Sequence, residues 1–379
     1  MVTGPAVLRV ANGYMLLQNA GILSAFHERY PRVRIQPAIA WGGGVGDTSV
    51  VLDLLHAGRV DVVGTGGLLG LALAHGLLLP LDPWLRAGNV ETGAFGGLLP
   101  QMRASGKLYD LPYEVITSVV VYDAALLQAA AVPVPLPSWT WAQMRGSARA
   151  LAHGGGNGKV WGLWAPFPSA LIDAWLQQTT GGHPGAVTSS QLRACLTFFH
   201  DMIFVDHSMP RPSTYPGGPM VAAPSPFASG RAAMAVVAPA GLASMAQGTR
   251  GAWGVLPLPR QPTQPVRLVV GVQSLAIAAG TREAESAWAL LTFVCGAPGA
   301  LAVARYGLLP AYRTPAAQRV WLAHAPQGQG TANIFHWSWW LPPRLGAATF
   351  PASVSTATQG VLAGRATVAT AVAGWTASR

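Results

Sequence analysis

The sequence predicts an α/β protein that folds as two domains. A chain of 379 residues is too long for a single hydrophobic core, which favours two domains. Apolar and β-branched residues predict strands at residues 7–11 and 33–36. Between them, Leu23, Phe26 and Tyr30 recur at helical spacing. Strands that alternate with helices in this way are typical of α/β folds.

The composition argues against a protein that binds nucleic acid or spans a membrane. The formal net charge is +10, but apart from Lys107 and Lys159 the cations are scattered arginines without a basic run. A basic surface also suits docking at an anionic membrane face. The most apolar stretch, residues 68–81, is interrupted by Gly76 and Pro80 and is shorter than the roughly 20 residues of a membrane span.

The first part of the chain contains a glycine-rich loop at residues 41–46, before a predicted helix at residues 49–56. A phosphate-binding loop of the G-x-x-x-x-G-K-[ST] type needs a lysine, which this loop lacks. We therefore expect a flexible loop at the rim of a cleft. Residues 60–63 predict a buried strand in which Asp61 has a structural role.

Residues 106–123 combine the signals of a turn, a strand and a helix. Pro112 lies in the predicted turn, and residues 116–122 are β-branched or aromatic, which predicts a strand. Asp123 is placed to cap a helix that begins at the next residue.

The second half of the chain alternates in the same manner. Thr140 and Gln143 form a predicted capping box, which makes Trp141 a packing residue on the helix that follows. Further helices are predicted at residues 171–178, 191–203 and 283–295, a strand with its loop at 162–167, and a strand at 271–277.

Several short sequence motifs of the chain resemble those of the family 1 extracellular solute-binding proteins of ABC importers, the maltose-binding-like group. Residues 106–113 match the G-x-x-Y-x-L-P-Y turn of that family. Residues 227–234 match its Phe-x-x-Gly-Lys/Arg-Ala-Ala-Met phrase, and residues 307–311 match its Gly-x-x-Pro-Ala phrase. Residues 360–371 resemble the closing helix of that family, which implies a helix there. The matching motifs follow the family's order along nearly the whole chain.

The resemblance implies a two-lobed periplasmic-binding-protein fold (type II) with an interdomain cleft and hinge crossings. The implied lobes are residues 1–115 with 268–312, and residues 118–265 with 313–379. The implied hinge crossings lie near residues 113–118, 265–268 and 312–314. Cys195 and Cys295 would then lie in different lobes, so we expect two buried thiols and no disulfide.

The residues argue against catalysis. Glycoside hydrolysis needs two carboxylates about 5–10 Å apart, and Glu114 is the only glutamate that we place near a cleft. The chain contains no nucleophile elbow and no zinc-protease motif, and its histidines lack the spacing of metal ligands. We therefore predict no catalytic residue, no metal and no cofactor.

A carbohydrate site fits the residues better, because aromatic planes cover the apolar faces of sugars and polar groups bind their rims. The richest patch is residues 333–340, which supply His336, Trp337, Trp339 and Trp340 as candidates. The alternative is that these tryptophans pack a helix hairpin. Candidates carried over from the family by position are Asn12, Tyr14, Trp41, Asp47, Thr65, Gly66, Tyr113, Glu114, Trp164, Phe167 and Gly241.

The resemblance also implies what the protein does. It implies a monomeric extracytoplasmic protein that captures a mono- or oligosaccharide by hinge closure and delivers it to the permease of an ABC importer, without a nucleic-acid partner. The expected location is extracellular or periplasmic, after removal of a leader that this sequence does not contain, with or without a lipid anchor. An anionic polyol of the glycerophosphate type, a sensor that presents its ligand to a receptor, and an enzyme on the same fold stay open as alternatives.

Overall fold

The chain forms two compact units. The computed structural model describes residues 4–11, 20–39, 48–87, 90–166, 168–212, 225–242, 251–324, 328–342 and 352–377. Unit 1 comprises Met1–Ile116, Gly271–His324 and Pro343–Ala348. Unit 2 comprises Thr117–Val270, Ala325–Pro342 and Thr349–Arg379.

Strands and helices alternate along the described residues. The strands are β1 (Ala6–Ala11), β2 (Val33–Pro37), β3 (Val62–Gly64), β4 (Asp110–Thr117), β5 (Val119–Asp123), β6 (Trp161–Trp164), β7 (Ala232–Val237), β8 (Trp253–Pro257), β9 (Arg267–Ile277), β10 (Leu309–Pro310) and β11 (Ser338–Trp340). The α-helices are α1 (Ala20–Arg29), α2 (Thr48–His56), α3 (Leu69–Ala74), α4 (Asp82–Arg86), α5 (Leu98–Gln101), α6 (Ala124–Ala129), α7 (Trp141–Leu151), α8 (Pro168–Thr180), α9 (Ser189–Phe204), α10 (Ala284–Val294), α11 (Ala297–Arg305), α12 (Pro315–His324), α13 (Ala352–Leu362) and α14 (Val368–Ala377).

Unit 1 is built on a mixed sheet. Its strand β1 lies between β2 and β3 and is parallel to both, which requires the crossovers that α1 and α2 provide. Leu8 and Val10 of β1 are fully buried, as expected for a strand inside a sheet covered by helices. The sheet continues from β3 through antiparallel β9 to β4 and β10.

Unit 2 is built on a sheet with the strand order β6-β7-β5-β8. The central strand β5 is antiparallel to β7 and β8, whereas β6 is parallel to β7. Every residue of β5 is buried, and its last residue, Asp123, caps α6 by accepting hydrogen bonds from the backbone N–H groups of Ala125 and Leu126. The predicted cap is therefore confirmed.

The predicted turn around Pro112 is wrong, because residues 110–117 form strand β4. The pairing with β10 involves only Glu114 and Val115, so Pro112 lies outside that ladder and its missing N–H costs no bond to β10. The strand predicted over residues 116–122 is divided at Ser118 into β4 and β5.

Two boundaries near the end of the chain also differ from expectation. The predicted helix over residues 360–371 is interrupted, because α13 ends at Leu362 and Gly364 adopts a left-handed conformation with φ of 70°. Helix α12 groups with unit 1, although the sequence placed a crossing at residues 312–314. The fully buried Trp321 anchors this helix there by donating its indole N–H to the carbonyl oxygen of Gly307 at 3.0 Å.

In the described ranges, no single helix is long and apolar enough to cross a membrane. Helices α10 and α11 meet the length and composition of a span only as a pair, with a bend of 50° between them.

Helices α7, α8 and α9 are held together by aromatic rings and one buried amide. The ring of Trp141 packs against that of Trp175 with a centroid distance of 5.1 Å, which confirms Trp141 as a packing residue. The side-chain oxygen of Gln178 accepts hydrogen bonds from the Trp141 indole at 2.9 Å and from the backbone N–H of Gln261 at 3.1 Å. Its amide group donates to the carbonyl oxygen of Pro259 at 3.0 Å. Gln178 thus fixes α8 relative to α7 and the segment after β8.

We predict that Gln178→Leu lowers the free energy of unfolding by about 2–4 kcal/mol, because it leaves buried donors and an acceptor without partners. Urea unfolding followed by circular dichroism measures this change. Gln128→Leu is the matched control, since Gln128 is an exposed residue of α6. Equal unfolding midpoints for the two variants would contradict the bridging role of Gln178.

Candidate functional site

The structure describes ten of the fifteen residues predicted to bind a ligand. The predicted contacts Asn12, Tyr14, Trp41, Asp47 and Phe167 lie outside the described residues. Of the remaining candidates, Thr65, Gly66, Tyr113 and Glu114 belong to unit 1. Those of unit 2 are Trp164, Gly241, His336, Trp337, Trp339 and Trp340.

Thr65 follows β3 and belongs to a buried polar cluster. Its hydroxyl donates to Oδ2 of Asp110 at 2.7 Å, and the hydroxyl of Ser274 donates to the same oxygen at 2.6 Å. The three side chains are buried and join β3, β4 and β9. Gly66, the next residue, is exposed and begins a 3₁₀ turn. A ligand contact in this loop is therefore easier to form at Gly66 than at the Thr65 hydroxyl.

Tyr113 and Glu114 lie next to each other on β4 and face opposite sides of the sheet. Tyr113 is buried, whereas Glu114 is half-buried. Burial raises the pKa of Glu114 to about 7. Among the described residues, the Glu114 carboxyl has no cation or hydrogen-bond donor beside it that would oppose this effect.

The tryptophans of residues 337–340 do not share one environment. Trp339 is the central residue of β11 and is only 5% exposed. Its indole N–H donates to the carbonyl oxygen of Ile334 at 3.1 Å. Strand alternation turns Trp339 towards the interior, so of the three tryptophans it offers a ligand the least ring surface. Its role as a stacking surface stays a prediction. Trp337 and Trp340 are half-buried and His336 is exposed.

Trp340 is covered on one face by an arginine. Strand β11 pairs in parallel with residues 267–269 of β9, which brings Arg267 alongside. The guanidinium carbon of Arg267 lies 4.0 Å from the centroid of the Trp340 ring, a cation–π distance. Burial lowers the pKa of Arg267. Nη2 of Arg267 also donates a hydrogen bond to Oε1 of Gln264 at 2.9 Å, which helps to hold the guanidinium in place.

Trp164 and Gly241 lie at the same edge of the unit 2 sheet. They follow or end the parallel neighbours β6 and β7, whose carboxyl ends meet at one edge. Trp164 is buried, so it supports this edge from inside. Gly241 ends a 3₁₀ turn, and a Cβ atom at its position would meet no atom within 4 Å.

A cavity of about 540 Å³ lies within unit 2, beside the loop that follows β6. This volume is in the range of small-molecule sites. Its walls come mainly from α8 and α13, with apolar surface from Pro166, Ile172, Val354 and Leu362. The polar groups in the lining include Asp173, Thr358 and Arg365.

Asp173 is the acidic residue of this cavity. Asp173 is exposed where it lines the cavity, and desolvation by the neighbouring walls raises the pKa of its carboxyl to about 6. Among the described residues it has neither an ion-pair nor a hydrogen-bond partner that would oppose this effect. Groups of three or more metal-ligating side chains are absent from the part of the chain that the structure describes.

The sequence did not identify Asp173, Thr358, Arg365 or Arg267 as site residues. Asp173 offered one signal, because it is the sole charged residue of α8. Thr358 and Arg365 reach the cavity only through the packing of α13 against α8. Arg267 meets Trp340 through strand pairing between distant segments, which no local pattern reports.

We predict that the free energy of unfolding falls as the pH rises from about 4.5 to 7, in part through Glu114. A carboxyl with a raised pKa in the folded protein stabilises the fold below its unfolded pKa and loses that contribution as the pH passes its folded pKa. Over this pH range the wild type should lose at most about 3 kcal/mol of unfolding free energy through Glu114, and Glu114→Gln should remove that loss. Urea unfolding across this pH range measures the effect.

Glu28→Gln is the control, because Glu28 is an exposed residue of α1. Asp173 contributes a residual slope at the acidic end of the range in both variants. Identical pH profiles of Glu114→Gln and Glu28→Gln would show that Glu114 titrates normally in the folded protein.

Comparison with known proteins gives a family match over most of the chain. Residues 19–300 match the sequence profile of a family described as "Bacterial extracellular solute-binding protein". A relative from Streptomyces antibioticus, "Uncharacterized lipoprotein in oleD 5'region", is 29% identical over 225 residues, which are 55% of this chain and 46% of that protein. The chain therefore spans about half the length of that relative.

Solved structures with the same fold cover nearly the whole chain. A sugar transporter from Rhizobium etli in an open conformation is 18% identical with a TM-score of 0.79 and 98% of both chains covered. The ABC substrate-binding protein Lmo0181 from Listeria monocytogenes, in complex with cycloalternan, is 16% identical with a TM-score of 0.76, and 99% of this chain and 98% of that chain are covered. Maltose-bound MalE3 from T. maritima is 18% identical with a TM-score of 0.70 and 98% of both chains covered. Identities this low show a common fold alone.

Proposed function

The chain belongs to the bacterial extracellular solute-binding protein family, and on that basis we propose that it captures a carbohydrate for an ABC importer. The family resemblance inferred from the sequence is confirmed, as is the two-lobed α/β fold of the periplasmic binding proteins. Family and fold are those of binding proteins rather than enzymes. The family acts outside the cytoplasm, in the extracellular or periplasmic space.

The cavity of unit 2 is the observation that carries the carbohydrate proposal. Its prolines and aliphatic side chains supply apolar surface for the C–H groups of a sugar, and its carboxyl, hydroxyl and guanidinium groups can bind sugar hydroxyls. Structures with this fold bind maltose, mannobiose and cycloalternan, which supports the same class of ligand here.

Trp340 lies outside the lining of that cavity, and we propose its ring as the stacking surface for a further sugar unit of the ligand. Arg267 covers one face of its ring and fixes the ring by a cation–π contact. A ring that is already held in place loses little conformational freedom when a ligand stacks on its accessible side. The half-buried state of Trp340 agrees with such a role, in contrast to the buried Trp339.

Capture by hinge closure and delivery to a permease complete the proposal. The borders between the two units at residues 116–117 and 270–271 support hinge crossings near 113–118 and 265–268. A ligand that binds the closed state more tightly than the open state favours closure by that difference in affinity, so covalent chemistry is not required. The closed protein then docks on the permease of an ABC importer.

Titration of the intrinsic tryptophan fluorescence with maltose, mannobiose, maltotriose and glycerol 3-phosphate tests the proposal. We expect a saturable response to at least one neutral sugar. Trp340→Ala should weaken that affinity roughly tenfold, which is the scale expected when a stacking surface is lost.

Trp161→Ala is the matched control, because Trp161 also lies in unit 2 and also faces a cation, Lys159, at 5.0 Å. A response confined to glycerol 3-phosphate and weakened by salt would favour the anionic-polyol alternative. The absence of a fluorescence response to every sugar would refute carbohydrate capture and leave the family assignment intact.

A further inference from the structure

We propose that Asp173 is the specificity-determining residue of the unit 2 cavity, where its carboxylate accepts hydrogen bonds from the hydroxyl groups of an uncharged sugar unit. The inference rests on the proposed carbohydrate function and adds the ligand's charge and a residue that selects it. It assigns this unit of the ligand to the space between α8 and α13.

The position of Asp173 suits recognition rather than packing. It is the sole charged residue of α8 and lies one residue after the buried Ile172, in a helix whose remaining polar groups are uncharged. A charged carboxylate in a cavity loses hydration, and this cost is offset only when hydrogen-bond donors replace the lost water. Adjacent hydroxyl groups of a sugar are such donors, because two of them can bind the two oxygens of one carboxylate.

No described residue hydrogen-bonds to the Asp173 carboxyl. The ion pairs of the described residues involve Asp61, Asp82, Asp201 and Asp206, but not Asp173. Arg365 lines the same cavity without pairing with Asp173. The acceptor at Asp173 and the donor at Arg365 are therefore both available to a ligand.

Thr358 adds a second polar group with an unmet bond. It lines the cavity from α13 and is only 5% exposed. Its hydroxyl has no hydrogen-bond partner among the described residues. Burying a hydroxyl without a hydrogen-bond partner costs free energy, and a ligand in the cavity can supply that partner.

The charge of the lining argues for an uncharged ligand. Asp173 and Arg365 bring opposite charges to the cavity, so its formal charge is balanced. Repulsion by Asp173 offsets the attraction of a phosphate or carboxylate group to Arg365, and repulsion by Arg365 offsets the attraction of an ammonium group to Asp173. A neutral polyol is repelled by neither residue. Its hydroxyl groups can accept hydrogen bonds from the Arg365 guanidinium and donate hydrogen bonds to the Asp173 carboxylate.

The proposal also predicts that the binding affinity depends on the protonation state of Asp173. The titratable groups that face it are Arg365 and Cys195 of α9. Burial, and after it the charge of Asp173, raise the pKa of the Cys195 thiol, so that thiol stays neutral near pH 7. Asp173 therefore changes charge alone in this cavity between pH 5 and 7.5, since its pKa is raised by burial to about 6.

Isothermal titration calorimetry with maltose, mannobiose and maltotriose at pH 7.5 tests the proposal on the full chain. We expect Asp173→Asn to weaken binding of the best ligand by at least about tenfold, because an amide is a poorer acceptor than a carboxylate. Asp53→Asn is the matched control, since Asp53 is exposed on α2 of unit 1. Thr358→Val should weaken binding by a smaller factor, about threefold.

Repeating the titrations at pH 5 separates recognition from a structural role. The wild-type affinity should fall up to about tenfold from pH 7.5 to pH 5, because protonation removes the charged acceptor. The affinity of Asp173→Asn should not change in this interval. The variant should also unfold at the same or a higher temperature than the wild type at pH 7.5, since it removes a poorly solvated charge.

The outcomes distinguish the two proposals. If Asp173→Asn binds a neutral sugar as tightly as the wild type, or if its affinity keeps the wild-type pH dependence, the role of Asp173 is overturned. Carbohydrate capture then still stands. Failure of the wild type to bind any sugar overturns both. Tighter binding of glycerol 3-phosphate than of every neutral sugar overturns the preference for an uncharged ligand.

Discussion

The hydrogen bonds of Gln178 are the constraint on which the unit 2 site depends. One amide accepts from Trp141 of α7 and from the chain after β8, and it donates to Pro259. Because Gln178 lies on α8, these bonds fix the helix that carries Asp173 and one wall of the cavity. The packed rings of Trp141, Trp175 and α9 residues add shape complementarity to that fixed position. A site on a rigid helix keeps its geometry without the ligand.

Four acidic residues with shifted pKa values fall into two groups with different physical roles. Burial tends to raise the pKa of Asp61 and Asp82, but hydrogen bonds from Arg9 and Arg103 outweigh it and lower both values. Those acids hold the structure together. Burial raises the pKa of Glu114 and Asp173, and no charged partner among the described residues opposes it. Carboxyl groups held in this unpaired state are typical of functional sites, because their binding capacity is not used internally.

The sequence was sufficient for the family and the fold, because turn phrases and strand–helix alternation are local signals. It correctly placed Asp123 as a cap and Trp141 as a packing residue. It failed at Pro112, which lies inside β4 at a position that the pairing with the short strand β10 does not reach. It also did not reveal the burial of Trp339, which follows from the position of this residue in β11. The cavity was not predicted, since α8 and α13 are far apart in the sequence and meet only after folding.

A crystal structure of the protein at pH 7.5 with its best-binding neutral oligosaccharide tests the central claim most directly. The account predicts a sugar unit between α8 and α13, with hydroxyl oxygens within hydrogen-bond distance of Asp173 and with apolar faces against the aliphatic walls of the cavity. A sugar bound elsewhere, with only water in the cavity and no contact to Asp173, would contradict the account.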